Sequence, residues 1–396
     1  MNNTRYETIT FSKGGNKMTK MLMLASVASM IDQFNRHNMK ILESLNVEVQ
    51  VAANFAAGNS TSPEKVSSFA ADMDTKKINH FQIDFSRSIV NIFNHIKAYK
   101  QLVTLFKENQ YDFVHCHSPI GGVIGRLVAK KFGVPVIYTA HGFHFHNKSS
   151  WMSWKLFYPI EKWLSSYTDT LITINKEDYQ TAQDFLPKYL EYIPGVGLEV
   201  DKFRQNLNSE STLKEELGLS KDDFVILSVG ELNKNKNHRA IIKALGLIQN
   251  PHIHYLVCGQ GELKEELNQL AKEQQISGQV KFLGFRDDIQ NVFKGADLFV
   301  FPSFREGLSV ALMEAMASGL PVVCSDIRGN NDLIDQSRGG FLFDPRNEKE
   351  LKDSIVKAYE QPELLKAQTE YNFEKINEFS LKVVSKEMKR IYSRYL

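Results

Sequence analysis

Short apolar and β-branched runs recur along this 396-residue chain, each followed by a longer stretch with helical spacing. In the first half the runs are Lys20–Ala25, Val47–Ala53, Phe113–His115, Val134–Tyr138 and Thr170–Ile174, with Ile89–Glu108 and Ile120–Phe132 among the amphipathic stretches between them. After Pro194 the pattern restarts with Phe224–Val229, His254–Cys258, Val280–Leu283, Asp297–Phe301 and Val322–Ser325, separated by helical patterns such as His238–Leu247 and Leu263–Gln275. A strand that is apolar along its whole length is covered on both faces. Strands of that kind alternating with helices imply parallel sheets, and two such series imply two doubly wound α/β domains. The break contains Pro194, Gly195 and Gly197 and a polar run, Gln205–Thr212, that reads as linker. From Glu348 the pattern is helical, and its last part, about Glu374–Tyr395, reads as one helix able to cross back to the first domain. The expected division is a disordered extension over 1–17, a first domain over 18–197, a second over 198–375 and a returning helix over 376–396.

Charge and cysteine content narrow the class. The net charge of +2 gives no reason to expect nucleic acid. Its distribution is uneven, because Met1 to Ile160 holds 18 Lys and Arg against 10 Asp and Glu, and the remainder holds 30 against 36. A basic front and an acidic back suit two domains with different partners. Cys116, Cys258 and Cys324 are far apart and each lies in a strand pattern, so neither a disulfide framework nor a cysteine metal site is expected. Reduced cysteines fit a cytosolic compartment. The apolar segment Met21–Ile31 is too short to span a bilayer and continues as strand and helix without a clear cleavage site, so a signal peptide is not favoured.

In doubly wound sheets, ligands bind beyond the carboxyl ends of the strands. The unusual residues lie there. Ser26–Asn35 follows the first strand, Cys116-His117-Ser118-Pro119 the third, and His141, His144 and His146 the fourth. Three histidines within six residues after a strand point to a site, but their spacing and the lack of neighbouring cysteine or carboxylate ligands argue against a metal. Asp72-Met-Asp74 has the spacing of a metal-binding acid pair but falls in a polar stretch and reads as a solvated loop. The strongest local pattern is REGLSVALMEAMASGLPVV, from Arg305 to Val323. A strand ends at Pro302, a helix starts near Ser309 and stops at Gly319, and Pro321 opens the next strand. The free amides and positive dipole end of such a helix cradle phosphate. Gly307 allows close backbone approach, and Glu306 and Glu314 flank the cradle with carboxylates that grip hydroxyl groups.

This Glu-x7-Glu string in its context resembles the nucleotide-binding signature of retaining glycosyltransferases of family 4. From about residue 18 onward the chain is similar to bacterial exopolysaccharide and capsule glycosyltransferases, through Ser29-Met-Ile-Asp-Gln-Phe-Asn, FVHCHSPIGGVIGRL, YTAHGFHFH and DTLITINKEDYQTA. The resemblance implies the GT-B fold, two Rossmann-like domains facing a cleft, with the acceptor on the first and the nucleotide sugar on the second. It implies that Glu314 holds the ribose, Glu306 the donor sugar, and the backbone at Gly307, Leu308 and Ser309 the diphosphate. His141 would lie near the sugar's hydroxymethyl group, and Gly284 and Phe285 near the base. Relatives carry an Arg and a Lys after the first strand of the second domain. Here Lys236, beyond Gly230, matches the Lys, whereas Glu231 stands at the Arg position, and Lys234 is expected to supply part of the missing charge. Asp32, in the loop after the first strand, is a candidate base on the acceptor side, and His117 and His144 are further acceptor-side candidates. His146 is a candidate for lining the cleft.

The implied activity is retaining transfer of a hexose or N-acetylhexosamine from a UDP-sugar, without metal or other cofactor, to a polyprenyl-diphosphate-linked glycan in exopolysaccharide or capsule synthesis. A UDP-sugar epimerase of the same fold and a non-catalytic nucleotide-binding subunit are the alternatives. The Glu-x7-Glu context argues against the first, and the presence of Glu306, Glu314 and His141 against the second. All three tryptophans, Trp151, Trp154 and Trp163, lie in Asn147–Tyr167 with Lys148, Lys155 and Lys162. That mixture suits a helix resting on anionic lipid, which would place the enzyme peripherally on the inner face of the cell membrane. A core-packed helix with snorkelling lysines is the other reading.

Overall fold

The computed structural model describes residues 18–204 and 211–396. The extension over 1–17 and most of the polar run Gln205–Thr212 lie outside the described residues. Thirteen strands, among the described residues, form two all-parallel sheets. The first contains β1 (Lys20–Val27), β2 (Glu48–Asn54), β3 (His80–Gln82), β4 (Phe113–His117), β5 (Val136–Ala140), β6 (Thr170–Thr173) and β7 (Tyr189–Tyr192), in the order β3-β2-β1-β4-β5-β6-β7. The second contains β8 (Phe224–Val229), β9 (Ile253–Cys258), β10 (Val280–Gly284), β11 (Leu298–Phe301), β12 (Val322–Ser325) and β13 (Phe341–Phe343), in the order β10-β9-β8-β11-β12-β13. The expected doubly wound α/β architecture is therefore present twice.

The continuous apolar strands explain the layering. Along β1, Met21, Met23 and Ala25 pack into one hydrophobic cluster, and Leu22 and Leu24 into another on the opposite face. In the second sheet Phe299 and Phe301 of β11 face one cluster while Leu298 and Val300 face the other. Each sheet is thus a wall between two cores, which excludes water from both faces and leaves the strand ends as the places where polar chemistry is exposed. In both sheets the order reverses at one pair, β1 and β4 in the first and β8 and β11 in the second. Crevices open at these points.

Several local expectations are corrected. Ser26–Asn35 is not a loop. β1 continues to Val27 and runs directly into the helix Ala28–Phe34. Asp72 and Asp74 lie within the helix Pro63–Thr75, capped by Ser62, instead of in a solvated loop. The single terminal helix over Glu374–Tyr395 is broken into Pro362–Lys375, a 3-10 turn at Ile376–Phe379 and Leu381–Tyr392. Ser380 is extended because it bridges Leu198, whose amide donates to Phe379 and whose carbonyl accepts from Leu381. The chain thus crosses between domains twice at one place. Beyond it, Val384, Met388, Ile391 and Tyr392 of Leu381–Tyr392 are buried in the core of the first domain.

The helix Trp151–Ser165 divides its aromatic residues between two environments. Trp154, Phe157 and Tyr158 pack on the first domain's core, whereas Trp151, Leu156 and Trp163 are exposed. Among the described residues no helix is long and apolar enough to cross a membrane.

Candidate functional site

The domains meet at the carboxyl ends of their sheets. After β11 the chain passes Pro302 and Ser303 and turns into the helix Val310–Ala317. Ser309 is the extended N-cap, and its hydroxyl accepts from the Leu312 amide at 3.3 Å. The amides of Val310 and Ala311, ahead of the first intrahelical bond, are left without a partner within the helix. Gly319 ends the element with φ +77°, a left-handed conformation that suits glycine.

Lys236 is positioned by its own loop. Asn237, left-handed at φ 54°, donates to the carbonyls of Pro302 and Pro345 at 3.2 Å each. The Phe304 amide donates to the Asn235 carbonyl at 2.8 Å, and the Asn235 side chain donates to the Arg305 carbonyl at 3.0 Å. This lacing brings Lys236 Nζ to 2.8 Å from Glu306 Oε1 and 4.6 Å from the Phe301 ring centroid. Gly230 makes room for the lysine chain, because a Cβ there would sit 3.2 Å from Lys236 Cδ and Cε.

Across the cleft, β4 and β5 bring His117 and His141 together, with His117 Nδ1 and His141 Nε2 sharing a hydrogen bond of 3.1 Å. Behind them His115 bonds Thr139 and the Tyr392 hydroxyl, each at 2.8 Å, so the returning helix completes the cluster. Burial holds His141 down to about 4 and His115 to about 3, and pushes His117 well below its ordinary value, with further lowering from its histidine neighbours. The cluster is therefore neutral near pH 7. His117 Nε2 is buried without a hydrogen-bond partner among the described residues.

The two walls enclose a cavity of about 190 Å³ lined by His141, His144, Arg305, Glu306, Gly307 and Arg328, among others. Gly307 is needed here because a Cβ would lie 1.9 Å from the His141 carbonyl oxygen. The closure is clasped by Arg328, whose Nη1 donates to Asp178 Oδ1 at 2.8 Å and to the Phe143 carbonyl at 2.9 Å, and whose Nε donates to the Glu306 carbonyl at 3.2 Å. Asp178 also accepts from the Phe143 amide and from Asn175. This pair is almost fully buried, and burial raises the Asp178 carboxyl against the pull of Arg328.

The remaining sequence candidates divide clearly. Glu314 is half-buried on the helix Val310–Ala317, and burial lifts its carboxyl to about 7, opposed by Lys202. Leu308 is buried and packs against Gly195, where a Cβ would strike it at 2.6 Å. His144 lines the cavity, and its ring lies 4.9 Å from that of Phe157. Burial lowers it first, and the Arg305 charge adds to the effect. His146 does not line the cavity, and its carbonyl accepts from the Trp154 indole. Lys234 and Glu231 are exposed and outside the cavity, with Glu231 accepting from the Asn233 side chain at 2.9 Å. Phe285 is also outside it, with Lys65 Nζ of the other domain 3.7 Å from its ring centroid and Gly284 beside it at φ +68°. Asp32 is not a free base. As a helical residue it is ion-paired with Arg36, which also holds Asp72.

Sequence reasoning missed Arg305, Arg328, Asp178 and His115 as parts of this arrangement. Arg305 stood inside the quoted string, next to Glu306. Arg328 and Asp178 are 150 residues apart, and although Asp178 lies within DTLITINKEDYQTA nothing in either segment points to the other. No group of three His, Cys, Asp or Glu side chains placed to hold a metal occurs among the described residues.

Residues 209–375 match the family model described as glycosyl transferases group 1, and residues 23–175 match glycosyl transferase 4-like. EpsD of Bacillus subtilis (strain 168), named a glycosyltransferase without a stated substrate, is 34% identical over 385 residues, covering 95% of this chain and 97% of the relative. UDP-Gal:alpha-D-GlcNAc-diphosphoundecaprenol alpha-1,3-galactosyltransferase of Escherichia coli is 35% identical over 265 residues, covering 63% of this chain and 67% of the relative. The crystal structure of Anabaena HepE in complex with UDP and glucose superposes with a TM-score of 0.75 at 19% identity, covering 95% of this chain and 100% of that one. The paired Rossmann-like domains have the GT-B arrangement.

Proposed function

From the premise that the chain belongs to the group 1 glycosyltransferases, we propose that it transfers a hexose or N-acetylhexosamine from a UDP-sugar to a polyprenyl-diphosphate-linked glycan in polysaccharide synthesis. The observation that carries this reading is the Lys236–Glu306 pair set before the helix Val310–Ala317 and opposite His141 across the cavity. Glu306 accepts hydroxyl groups of the donor sugar. The first-turn amides and Lys236 meet the diphosphate, and Glu314 accepts the ribose hydroxyls.

The bond from the anomeric carbon to the β-phosphate oxygen breaks, and the electron pair leaves with UDP. The acceptor oxygen bonds to the same carbon from the same face, which retains its configuration, and its proton passes to the departing phosphate. Fixed amides and Lys236 stabilise the charge that develops on that phosphate, so no metal is required. Neutral His141 offers hydrogen bonding to the sugar without adding a competing charge.

The lipid-linked acceptor follows the Escherichia coli relative, whose name gives a diphosphoundecaprenol acceptor. Exposed Trp151, Leu156 and Trp163 together with Lys155 support docking on an anionic membrane, where such an acceptor resides. Flotation with anionic vesicles tests this part, and failure to float contradicts it.

A thermal-shift panel of UDP, GDP, ADP and several UDP-sugars tests the donor. A ligand at about 100 times its Kd stabilises by about 2.7 kcal/mol. The expected result is a rise in Tm with UDP and a larger rise with one UDP-sugar. No shift with any uridine nucleotide contradicts the UDP-sugar reading.

A further inference from the structure

A diphosphate leaving group needs cations, and the cavity supplies them unevenly. Three cationic side chains stand at or beside it: Lys236, Arg305 and Arg328. Two are already taken up by carboxylates of the protein. Lys236 is bound to Glu306 at 2.8 Å, and Arg328 is buried against Asp178 at 2.8 Å. Arg305 differs. Its side chain is exposed, it lines the cavity, and among the described residues no carboxylate pairs with it.

The backbone of Arg305 is also tied to the loop after β8. The Asn235 side chain donates to its carbonyl at 3.0 Å, and the neighbouring Phe304 amide donates to the Asn235 carbonyl at 2.8 Å. That loop carries Glu231, an acid that turns to solvent and bonds Asn233. Glu231 offers a phosphate nothing but repulsion. Lys234 is exposed and outside the cavity.

Resting on the donor reading above, we propose that Arg305 is a phosphate-binding residue that contacts the diphosphate of the nucleotide sugar and supplies the charge that Glu231 does not. A guanidinium suits this task because its planar fork of donors matches two phosphate oxygens at once. The neighbouring first-turn amides of Val310 and Ala311 bind the same group, so cation and helix end act together.

The test is calorimetric titration of the full chain and its Arg305→Gln variant with UDP, GDP, ADP, uridine and UMP. A charge-assisted hydrogen bond is worth about 1.5–3 kcal/mol, so Arg305→Gln is expected to weaken the diphosphate by about tenfold or more. Uridine affinity and Tm are expected to stay unchanged, because the side chain is exposed and uridine carries no phosphate. Equal weakening of uridine and UDP would overturn the assignment in favour of a structural role. UDP affinity within twofold of the wild type would overturn it outright. If the wild type binds none of the diphosphates, the donor reading falls and this inference with it, an outcome distinct from a wild type that binds and a variant that binds equally.

Discussion

The two walls of the cleft are built on the same plan and differ in where their polar groups find partners. On the first domain His117 and His141 bond each other, and His115 behind them bonds Thr139 and Tyr392. On the second, the amides of Val310 and Ala311 have no partner within their helix, the Glu314 carboxyl feels the Lys202 charge, and Lys236 and Glu306 satisfy each other. The first wall is a largely bonded network, open only at His117 Nε2, that shapes a neutral surface. The second leaves more of its polar groups incompletely bonded, at a cost in desolvation visible in the raised Glu314 carboxyl. A site that binds charge must leave some of its groups incompletely satisfied when empty.

The clasp between the walls gives the largest expected effect. Removing one partner of a buried ion pair leaves the other charge uncompensated, at about 3–5 kcal/mol. Asp178→Ala should therefore lower stability by about that amount in chemical denaturation. It should also lower activity through the Glu306 carbonyl that Arg328 holds. Wild-type stability in this variant would mean that the walls are held together elsewhere.

A smaller effect separates contact from charge. Gly307→Ala would place a Cβ 1.9 Å from the His141 carbonyl oxygen, and overpacking of this kind costs about 1–3 kcal/mol. Gly278→Ala, where a Cβ meets nothing within 4 Å, is the control. Equal melting temperatures for the two variants would show that the walls do not approach as closely as described.

How much of this contrast was legible in the sequence follows from how each wall is assembled. The second wall is contiguous. Strand, turn, cap, helix and stop lie within Phe299–Val323, so residue types at fixed spacing revealed it. The first wall draws on β4, β5 and a helix near residue 390, and only the histidines after β5 formed a local pattern. The missed strands β3, β7 and β13 are edge or near-edge pieces of three or four residues, too short for periodicity to register. Asp32 was misplaced because Ser26-Val-Ala-Ser has the small residues of a loop, although its backbone continues the strand into a helix. The break at Ser380 depends on a bridge to Leu198, a partner 182 positions away that no local propensity encodes.

The third effect is a difference in sign. His141 is held at about 4 against an ordinary 6.5, so the unfolded chain binds the extra proton. Stability from this group is present above pH 6.5 and lost as pH falls toward 4, by about 2 kcal/mol at pH 5. Glu314 is raised to about 7 from 4.5, so the native state keeps its proton longer. Its stability contribution is lost as pH rises from 4.5 through 7. Glu314→Gln should therefore gain stability over the wild type between pH 5 and pH 8, whereas His141→Asn should reduce the loss on acidification. Melting curves across that range check both, and parallel profiles for the wild type and either variant would remove that residue from the comparison.

The central claim is that the second wall holds a nucleotide sugar for transfer. The most direct measurement supplies radiolabelled UDP-sugars and a diphosphoundecaprenol-linked saccharide to the wild type and to Glu306→Ala, and follows label into the lipid phase. Loss of a charged hydrogen bond to the donor predicts a rate roughly 10²-fold lower in the variant. Transfer by Glu306→Ala at the wild-type rate would contradict the account.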